Sequence, residues 1–330
     1  MSLPKKNPLN IVSVEQQSPE PVGRTSQISR REEVQARYDR LWLRTPEKFN
    51  PNNSTLELDK IERTLNLIEK TIDLTQKKVA DLGCGSGYLS RKLRDQGALV
   101  TAIDISHNAL KELQKYNCQN ITPVHDYIPK SLLPDDTFDV VIAADLIAHL
   151  NESEYRIFFS ELARLVKAEG VVVATTSIDI HSENALQRFA DLAATEFEIL
   201  EWKFSYHSLF IRLTDIIKAP SRFIKASKDS NYRDKSLENR YSLGKWWFRL
   251  NSHKAISPFW RLIKMATTPL LSFLQSSQSC LYYLEKVSKF IWKESAISHA
   301  IMIGKRRSMM PNTTEEMLPK ELKHKKQVWE

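Results

Sequence analysis

Cysteine is scarce in this chain. Cys84, Cys118 and Cys280 lie far apart and make no CxxC pair, which argues against a disulfide framework and leaves no zinc-ligand spacing. A reducing interior suits such a protein, and no metal is expected. Long apolar runs are missing too, since nothing approaches the roughly eighteen uncharged residues that a spanning helix needs. The opening MSLPKKNPLNIVSVEQQSPEPVG has no apolar core of signal-peptide length. The expectation is a cytoplasmic protein that can sit peripherally on a membrane. No segment repeats at a fixed period.

What the chain does have is 330 residues, 42% of them hydrophobic, enough to bury a full core as one large domain or two modest ones. Its net charge of +8 is unevenly spread. Between Lys203 and Glu294 there are 17 Lys or Arg against 6 Asp or Glu, which puts +11 in that segment and leaves the remainder near −3. Concentrated basicity of this kind points to a polyanionic partner for one region rather than for the whole surface.

Residues 1–30 hold Pro4, Pro8, Pro19 and Pro21 among Ser, Gln and Lys without a sustained hydrophobic period, the composition of a disordered leader. From Arg31 a helix carrying Val34, Tyr38 and Leu41 leads to a loop between Pro46 and Pro51. Ser54 or Thr55 can then cap a helix with Leu58, Ile61, Leu65 and Ile68 on one face. Apolar strands next alternate with amphipathic helices: KKVADLG, a helix from Ser86, ALVTAID, a helix from Ser106, NITPVH, FDVVIAA, a helix from Glu152, GVVVATT, and a helix from Ser182. Such alternation predicts an α/β fold whose parallel sheet is covered on both faces. FEILEWKFSY, beginning at Phe197, reads as a further strand. About ninety residues without that alternation follow, and ISHAIMIGKRR reads as a displaced last strand before a charged tail. The expected division is a leader at 1–30, a core at 31–206, a basic, aromatic-rich helical insertion at 207–294, the final core strand at 295–307 and a tail at 308–330.

The stretch VADLGCGSGYLSRKL, Val79 to Leu93, reads as a buried strand, a glycine turn and a helix start. Gly83, Gly85 and Gly87 form GxGxG, where missing side chains let the backbone turn tightly and approach a ligand, and the following helix offers free N–H groups. A dinucleotide fingerprint wants GxGxxG, but Tyr88 stands at its third glycine, which counts against NAD. Asp104 ends the second strand, 17 residues beyond Gly87, where a carboxylate can accept both hydroxyl protons of a ribose. Alone it supports adenosine without naming the cofactor, and a helix N-cap is its plain alternative, with Ser106 competing for that place.

The combination is more specific. Asp81 in the first strand's end, the GxGxG turn, Asp104, the run His125-Asp126-Tyr127 after strand three and FDVVIAADLIAHL after strand four resemble the class I S-adenosylmethionine-dependent methyltransferases, in the style of the small-molecule and quinone-biosynthesis (type 11) branch. The resemblance covers Tyr38 to Thr176 and the two late strands. It implies a doubly wound, Rossmann-like seven-stranded sheet whose seventh strand is antiparallel and lies beside the sixth, so that the basic region becomes a helical insertion interrupting a hairpin. It also implies S-adenosylmethionine as cofactor, with Asp81 and Gly83, Gly85 and Gly87 lining the methionine part. Asp104 would meet the ribose, Ile105 would lie beside the adenine, Asp126 would accept from the adenine amino group, and Tyr127 would lie beside the ring.

Methyl transfer is an in-line displacement, so the protein must mainly align the reacting atoms and exclude water. If the acceptor carries a proton, a base is needed, and His149 in ADLIAHL is the nearest candidate, with a surface histidine as the plain alternative. Many quinone-branch relatives carry an acid just before this histidine. Here Ala148 stands there while Asp145 retains the earlier acid, which departs from metal-assisted quinone O-methylation. The sequence AADL also lacks the Asp/Asn/Ser-Pro-Pro-aromatic signature of amino-directed DNA methyltransferases. Cys84 reads as a small buried side chain.

In the basic region Leu270, Leu274, Leu281, Leu284 and Ile291 keep helical spacing, with Lys286, Lys289 and Lys293 beside them. Three readings fit: a helical cap on the core, a lid that contacts an anionic membrane surface, or an RNA-binding face. The leading expectation is an S-adenosylmethionine-dependent methyltransferase acting on a small, lipophilic acceptor. The alternatives are an RNA methyltransferase using the basic insertion, and a non-catalytic S-adenosylmethionine-binding membrane adaptor.

Overall fold

The computed structural model describes residues 22–178, 184–238 and 242–307. Helix α1 (Val22–Arg44) leads through two 3-10 turns (Pro46–Phe49 and Pro51–Asn53) into α2 (Thr55–Thr71). Ser54 caps α2 by accepting from the Glu57 amide at 3.4 Å. α1 starts at Val22 and not at Arg31, so the leader expected through residue 30 gives way to helix nine residues earlier. Residues 1–21 and the tail 308–330 lie outside the described residues, as does Ser182.

The sheet is built from β1 (Lys78–Leu82), β2 (Leu99–Asp104), β3 (Ile121–His125), β4 (Phe138–Ala143), β5 (Val166–Ser177), β6 (Phe197–Ser205) and β7 (His299–Arg306). Between them run α3 (Tyr88–Asp95), α4 (His107–Leu113), α5 (Glu152–Leu165) and α6 (Ala185–Glu196). Five further helices separate β6 from β7: α7 (Ser208–Lys228), α8 (Ser230–Glu238), α9 (Ser242–Asn251), α10 (Ser257–Ser276) and α11 (Gln278–Trp292). The strand order is β3-β2-β1-β4-β5-β7-β6, with β7 antiparallel to both neighbours and the other pairs parallel. This is the expected doubly wound, Rossmann-like α/β sheet, with the helical insertion between its last two strands.

Burial on both faces explains why the central strands read as unbroken apolar runs. Val79, Val140, Ile142, Val171 and Val173 pack toward one side with Leu65, Ile68, Leu93 and Leu113 of α2, α3 and α4. Their neighbours Ala80, Val141, Ala143 and Val172 pack with Phe158, Phe159, Leu162 and Phe189 of α5 and α6. α3 begins two residues later than the expected Ser86, because Gly87 occupies the N-cap in the left-handed region at φ 69°. A β-carbon on Gly87 would overlap Leu113 Cδ1, and Leu113 is fully buried. Gly87→Ala combines a strained φ with overpacking, so a loss of about 1–3 kcal/mol is expected. Thermal denaturation should show it as a Tm lowered by roughly 2–5 °C.

In a doubly wound sheet the chain leaves in opposite directions from adjacent strands at one point, and a crevice opens there beyond the strands' carboxyl ends. Here that point lies between β1 and β4. The glycine turn follows β1, and Asp145 to His149 follow β4, so both sets of chemistry-bearing residues are carried to the same crevice.

Candidate functional site

A cavity of about 260 Å³ occupies the crevice. Its wall includes Asp81, Gly83, Gly85, Asp104, Ile105, Asp126, Tyr127 and His149, so eight of the nine residues singled out in the sequence are brought together. Gly87 is the exception and lies behind the turn against Leu113.

The turn itself is a backbone crook. Gly83, Gly85 and Gly87 all have positive φ (74°, 55° and 69°), a region costly for side chains. The amides of Gly83 and Cys84 both donate to the Ile103 carbonyl, at 2.8 and 2.9 Å, which ties the crook to the end of β2. Asp104 completes the tie: Oδ2 accepts from the Gly85 amide at 2.9 Å and Oδ1 from the Ser106 amide at 2.8 Å. Burial raises the Asp104 pKa, while the Ser106 and Gly85 amides pull it back. Each carboxylate oxygen keeps a further lone pair, which is what a ribose diol requires. Ser106, not Asp104, is the N-cap of α4, accepting from the Ala109 amide at 3.2 Å.

Asp81 is 2% exposed and accepts from Ser90 Oγ at 2.5 Å. Burial pushes its pKa up to about 6 against the Ser90 hydrogen bond, so a cationic group arriving beside it would relieve a poorly solvated carboxylate. Burial likewise pushes the Cys84 thiol well up, which keeps it protonated and fits its reading as a small buried side chain.

On the adenine side, Asp126 accepts from the Tyr127 amide at 2.7 Å, from the Leu132 amide at 2.7 Å and from Arg31 Nη2 at 3.3 Å. Tyr127 donates its hydroxyl to Glu154 Oε1 at 2.6 Å, and burial together with Glu154 raises its pKa far above the usual phenol value. His125 stacks on His107 at 3.6 Å and contacts the Ile105 carbonyl through Nε2 at 2.8 Å, which steadies the segment presenting Ile105. These groups fit an adenosyl ligand: a side-chain-free crook, a diol acceptor, and an acceptor for an exocyclic amine.

Sequence reasoning did not anticipate the roof. Val34, Tyr38 and Trp42 of α1 line the cavity, and a β-carbon on Gly85 would come within 3.0 Å of Trp42 Cζ2. Trp42 is held by stacking on Phe49 at 4.5 Å. These positions lie forty or more residues before the glycine turn, and the sequence reading placed Leu41, which is exposed, on the face that Trp42 occupies.

A second unforeseen group is the cluster around Lys60, the one Lys or Arg among the described lining residues. Its Nζ lies 3.1 Å from Glu57, 3.2 Å from Asp145 and 3.0 Å from Ser177 Oγ. Burial works against the charge on Lys60, but Asp145 and Glu57 outweigh it and raise the pKa. Asp145 sits in the left-handed region at φ 53° with its amide donating to Thr175 Oγ1 at 3.0 Å. His299 Nε2 is 3.6 Å from Asp145 Oδ1. Burial alone would raise Asp145, yet His299 and Lys60 together hold it far below the usual carboxylate range. A strained, non-glycine backbone at a ligand cavity marks a position fixed by its surroundings.

His149 closes a 3-10 turn (Ile147–His149) at the cavity mouth, partly open to solvent, with its ring edge-on to Tyr38 at 5.8 Å. Desolvation lowers its pKa, Asp145 works in the opposite direction, and Arg37 lowers it further. The ring is therefore neutral and able to take a proton at pH 7.

Comparison with known proteins gives a consistent picture. A family model described as a methyltransferase domain matches residues 79–170, from the start of β1 into β5. The ubiquinone biosynthesis O-methyltransferase of Pelagibacter ubique is 27% identical over 195 residues, 58% of this chain and 75% of that protein. The mitochondrial enzyme of the same name from Schizosaccharomyces pombe is 35% identical over 108 residues, 30% of this chain and 38% of that protein. The Idiomarina loihiensis enzyme is 31% identical over 153 residues, 38% of this chain and 60% of that protein. The matches to the last two thus span less than two thirds of those relatives. Among solved structures, phosphoethanolamine N-methyltransferase 1 of Haemonchus contortus, in complex with phosphoethanolamine and S-adenosylhomocysteine, is 19% identical. It covers 46% of this chain and 33% of that one, with a TM-score of 0.39.

Proposed function

Because this chain belongs to the class I S-adenosylmethionine-dependent methyltransferases, we propose that it moves the methyl group of that donor to a small, lipophilic acceptor carrying an ionisable hydroxyl. The observation that carries this reading is the make-up of the cavity beyond the crook. Val34, Tyr38, Phe49, Ile61, Leu146 and Leu150 give it an apolar lining, with His149 set at its mouth. An apolar pocket with few polar groups binds an apolar body and orients it by one polar handle. The relatives named for ubiquinone biosynthesis agree with an acceptor of this kind.

The donor supplies a methyl group on a sulfonium centre. Asp81 and the crook hold its methionine end, Asp104 its ribose, and Asp126, Ile105 and Tyr127 its adenine. The roof formed by Tyr38 and Trp42 excludes water, which favours a step in which charge is dispersed. Lys60, whose three ammonium hydrogens go to Glu57, Asp145 and Ser177, braces the wall on the Asp145 side, and neutral His149 at the mouth accepts the hydroxyl proton.

Incubating the full chain with lipid and RNA extracts and methyl-labelled S-adenosylmethionine, followed by mass spectrometry of each fraction, is expected to label a lipophilic product. Label found only in RNA would overturn the acceptor class, and no label at all, with the donor bound, would mark a silent adaptor. His149→Ala should lower kcat by about 100-fold with donor affinity unchanged. Full turnover in that variant would remove His149 from the reaction.

A further inference from the structure

The helices between β6 and β7 leave an unusual surface. Of 21 large hydrophobic side chains exposed among the described residues, 15 fall between Ile216 and Trp292. Soluble surfaces scatter such residues singly, and a concentration of them marks something that is normally covered.

Their arrangement is regular. α10 uses one stripe, Trp260, Ile263, Thr267, Leu271 and Leu274, to pack inward, where Trp260 meets Phe223 at 4.8 Å and Leu274 joins Phe210 and Leu281. Phe259, Leu262, Ala266, Pro269 and Phe273 recur at three- and four-residue steps and form a second apolar stripe that is exposed. α11 repeats the design. Leu281, Leu284 and Ser288 face inward, with Ser288 Oγ 2.7 Å from Ser208 Oγ, while Tyr283, Val287, Phe290 and Ile291 form an exposed stripe in which Phe290 is 85% accessible. Arg261, Lys264, Lys286, Lys289 and Lys293 are exposed among these stripes. Lys286 Nζ lies 4.4 Å from the Tyr282 ring centre, a cation resting beside an amphipathic aromatic ring.

We propose that the α10–α11 pair docks in the headgroup layer of an anionic lipid bilayer, its outer apolar stripes dipping into the acyl boundary and its lysines and arginines meeting lipid phosphates. Charge decides between possible occupants. A second copy of the chain would set Arg261, Lys264, Lys286, Lys289 and Lys293 against themselves across a twofold axis, whereas anionic lipid neutralises them. RNA would use the cations and stack on the aromatics, but it offers nothing to Leu262, Met265, Val287 and Ile291. Among the described residues no helix is long and apolar enough to cross a membrane, so the pair lies on the surface and does not span it. The inference stands apart from the methyl-transfer reading, because it rests on residues that do not line the cavity.

Flotation of the full chain with vesicles of phosphatidylcholine containing phosphatidylglycerol tests it. The protein is expected to rise with these vesicles, to bind at least tenfold more weakly to phosphatidylcholine alone, and to be released by salt. A Leu262→Ser/Phe290→Ser double variant changes only exposed positions, so it should keep the parent Tm and donor affinity while losing vesicle binding by at least tenfold. Parent protein that stays at the bottom of the gradient with anionic vesicles overturns the proposal. So does a double variant that floats as well as the parent, or a parent protein that elutes as a dimer which the same substitutions dissociate. Because donor affinity is read separately, failure of docking and failure of the methyl-transfer reading are distinguishable.

Discussion

Asp104→Ala is expected to weaken S-adenosylmethionine binding by about 1000-fold in titration calorimetry, a loss of about 4 kcal/mol. Two contributions add. The carboxylate would accept charge-assisted hydrogen bonds from the ribose hydroxyls, each worth about 1.5–3 kcal/mol. It also accepts from the Gly85 amide at 2.9 Å and the Ser106 amide at 2.8 Å, so its removal orphans two backbone donors and loosens the crook that must receive the donor. Asp104→Asn keeps one acceptor oxygen but turns an amide group toward one of those N–H donors, so its loss should be intermediate. Circular dichroism of both variants would verify the fold. An alanine variant that binds within threefold of the parent would place the adenosyl ligand somewhere other than this crevice.

Acid should expose the second large effect. His207, with a fully buried side chain, has Nε2 3.3 Å from Asp59 Oδ2 and 3.8 Å from Glu285 Oε1. Burial nonetheless dominates, against the pull of Glu285 and Asp59 and with help from Arg63 and His299, and lowers its pKa to about 4. The unfolded chain carries a histidine near 6.5. Between those values the unfolded state binds a proton that the native state refuses. Stability from this residue is therefore complete above pH 6.5 and is lost as pH falls toward 4, reaching about 2–3 kcal/mol by pH 4.5. Asp81 has the opposite sign, since its pKa is pushed up to about 6 and the native state holds a proton that the unfolded state has released. A raw acid-denaturation curve mixes the two. The informative measurement is the difference in unfolding free energy between the parent and His207→Gln at pH 7.5 and at pH 4.5. It should shift by about 2–3 kcal/mol in the variant's favour at the lower pH, whatever the absolute effect of losing the ring. Parallel pH profiles for the two proteins would mean that His207 binds its proton in the native state as it does in the unfolded chain.

Much of this molecule was legible because its central strands are short apolar runs separated by polar amphipathic turns of helix. KVADL, LVTAID and FDVVIA name their own elements, and the glycine spacing together with Asp104 marked the crevice at the point where the sheet changes direction. The helices of the insertion were harder. Pro220 and Pro269 lie inside α7 and α10, where local reasoning expects a break, and tertiary packing against apolar stripes overrides that preference. Long-range polar partners carried no local signal at all. Lys60, Asp145 and His299 come from α2, the loop after β4 and the first residue of β7, and Arg31 reaches Asp126 across 95 positions. Only the folded sheet brings such side chains within 4 Å of one another, so the roof and the Lys60 cluster had to wait for the structure.

Ser205 and His299 are cross-strand partners in the β6–β7 ladder. The whole excursion of α7 to α11 therefore departs and returns at neighbouring points, and on the way Glu285 of α11 pairs with Arg63 of α2 at 2.6 Å. A hairpin turn would span that gap, so its length and outer chemistry can be rewritten over generations without shifting the register of any other strand.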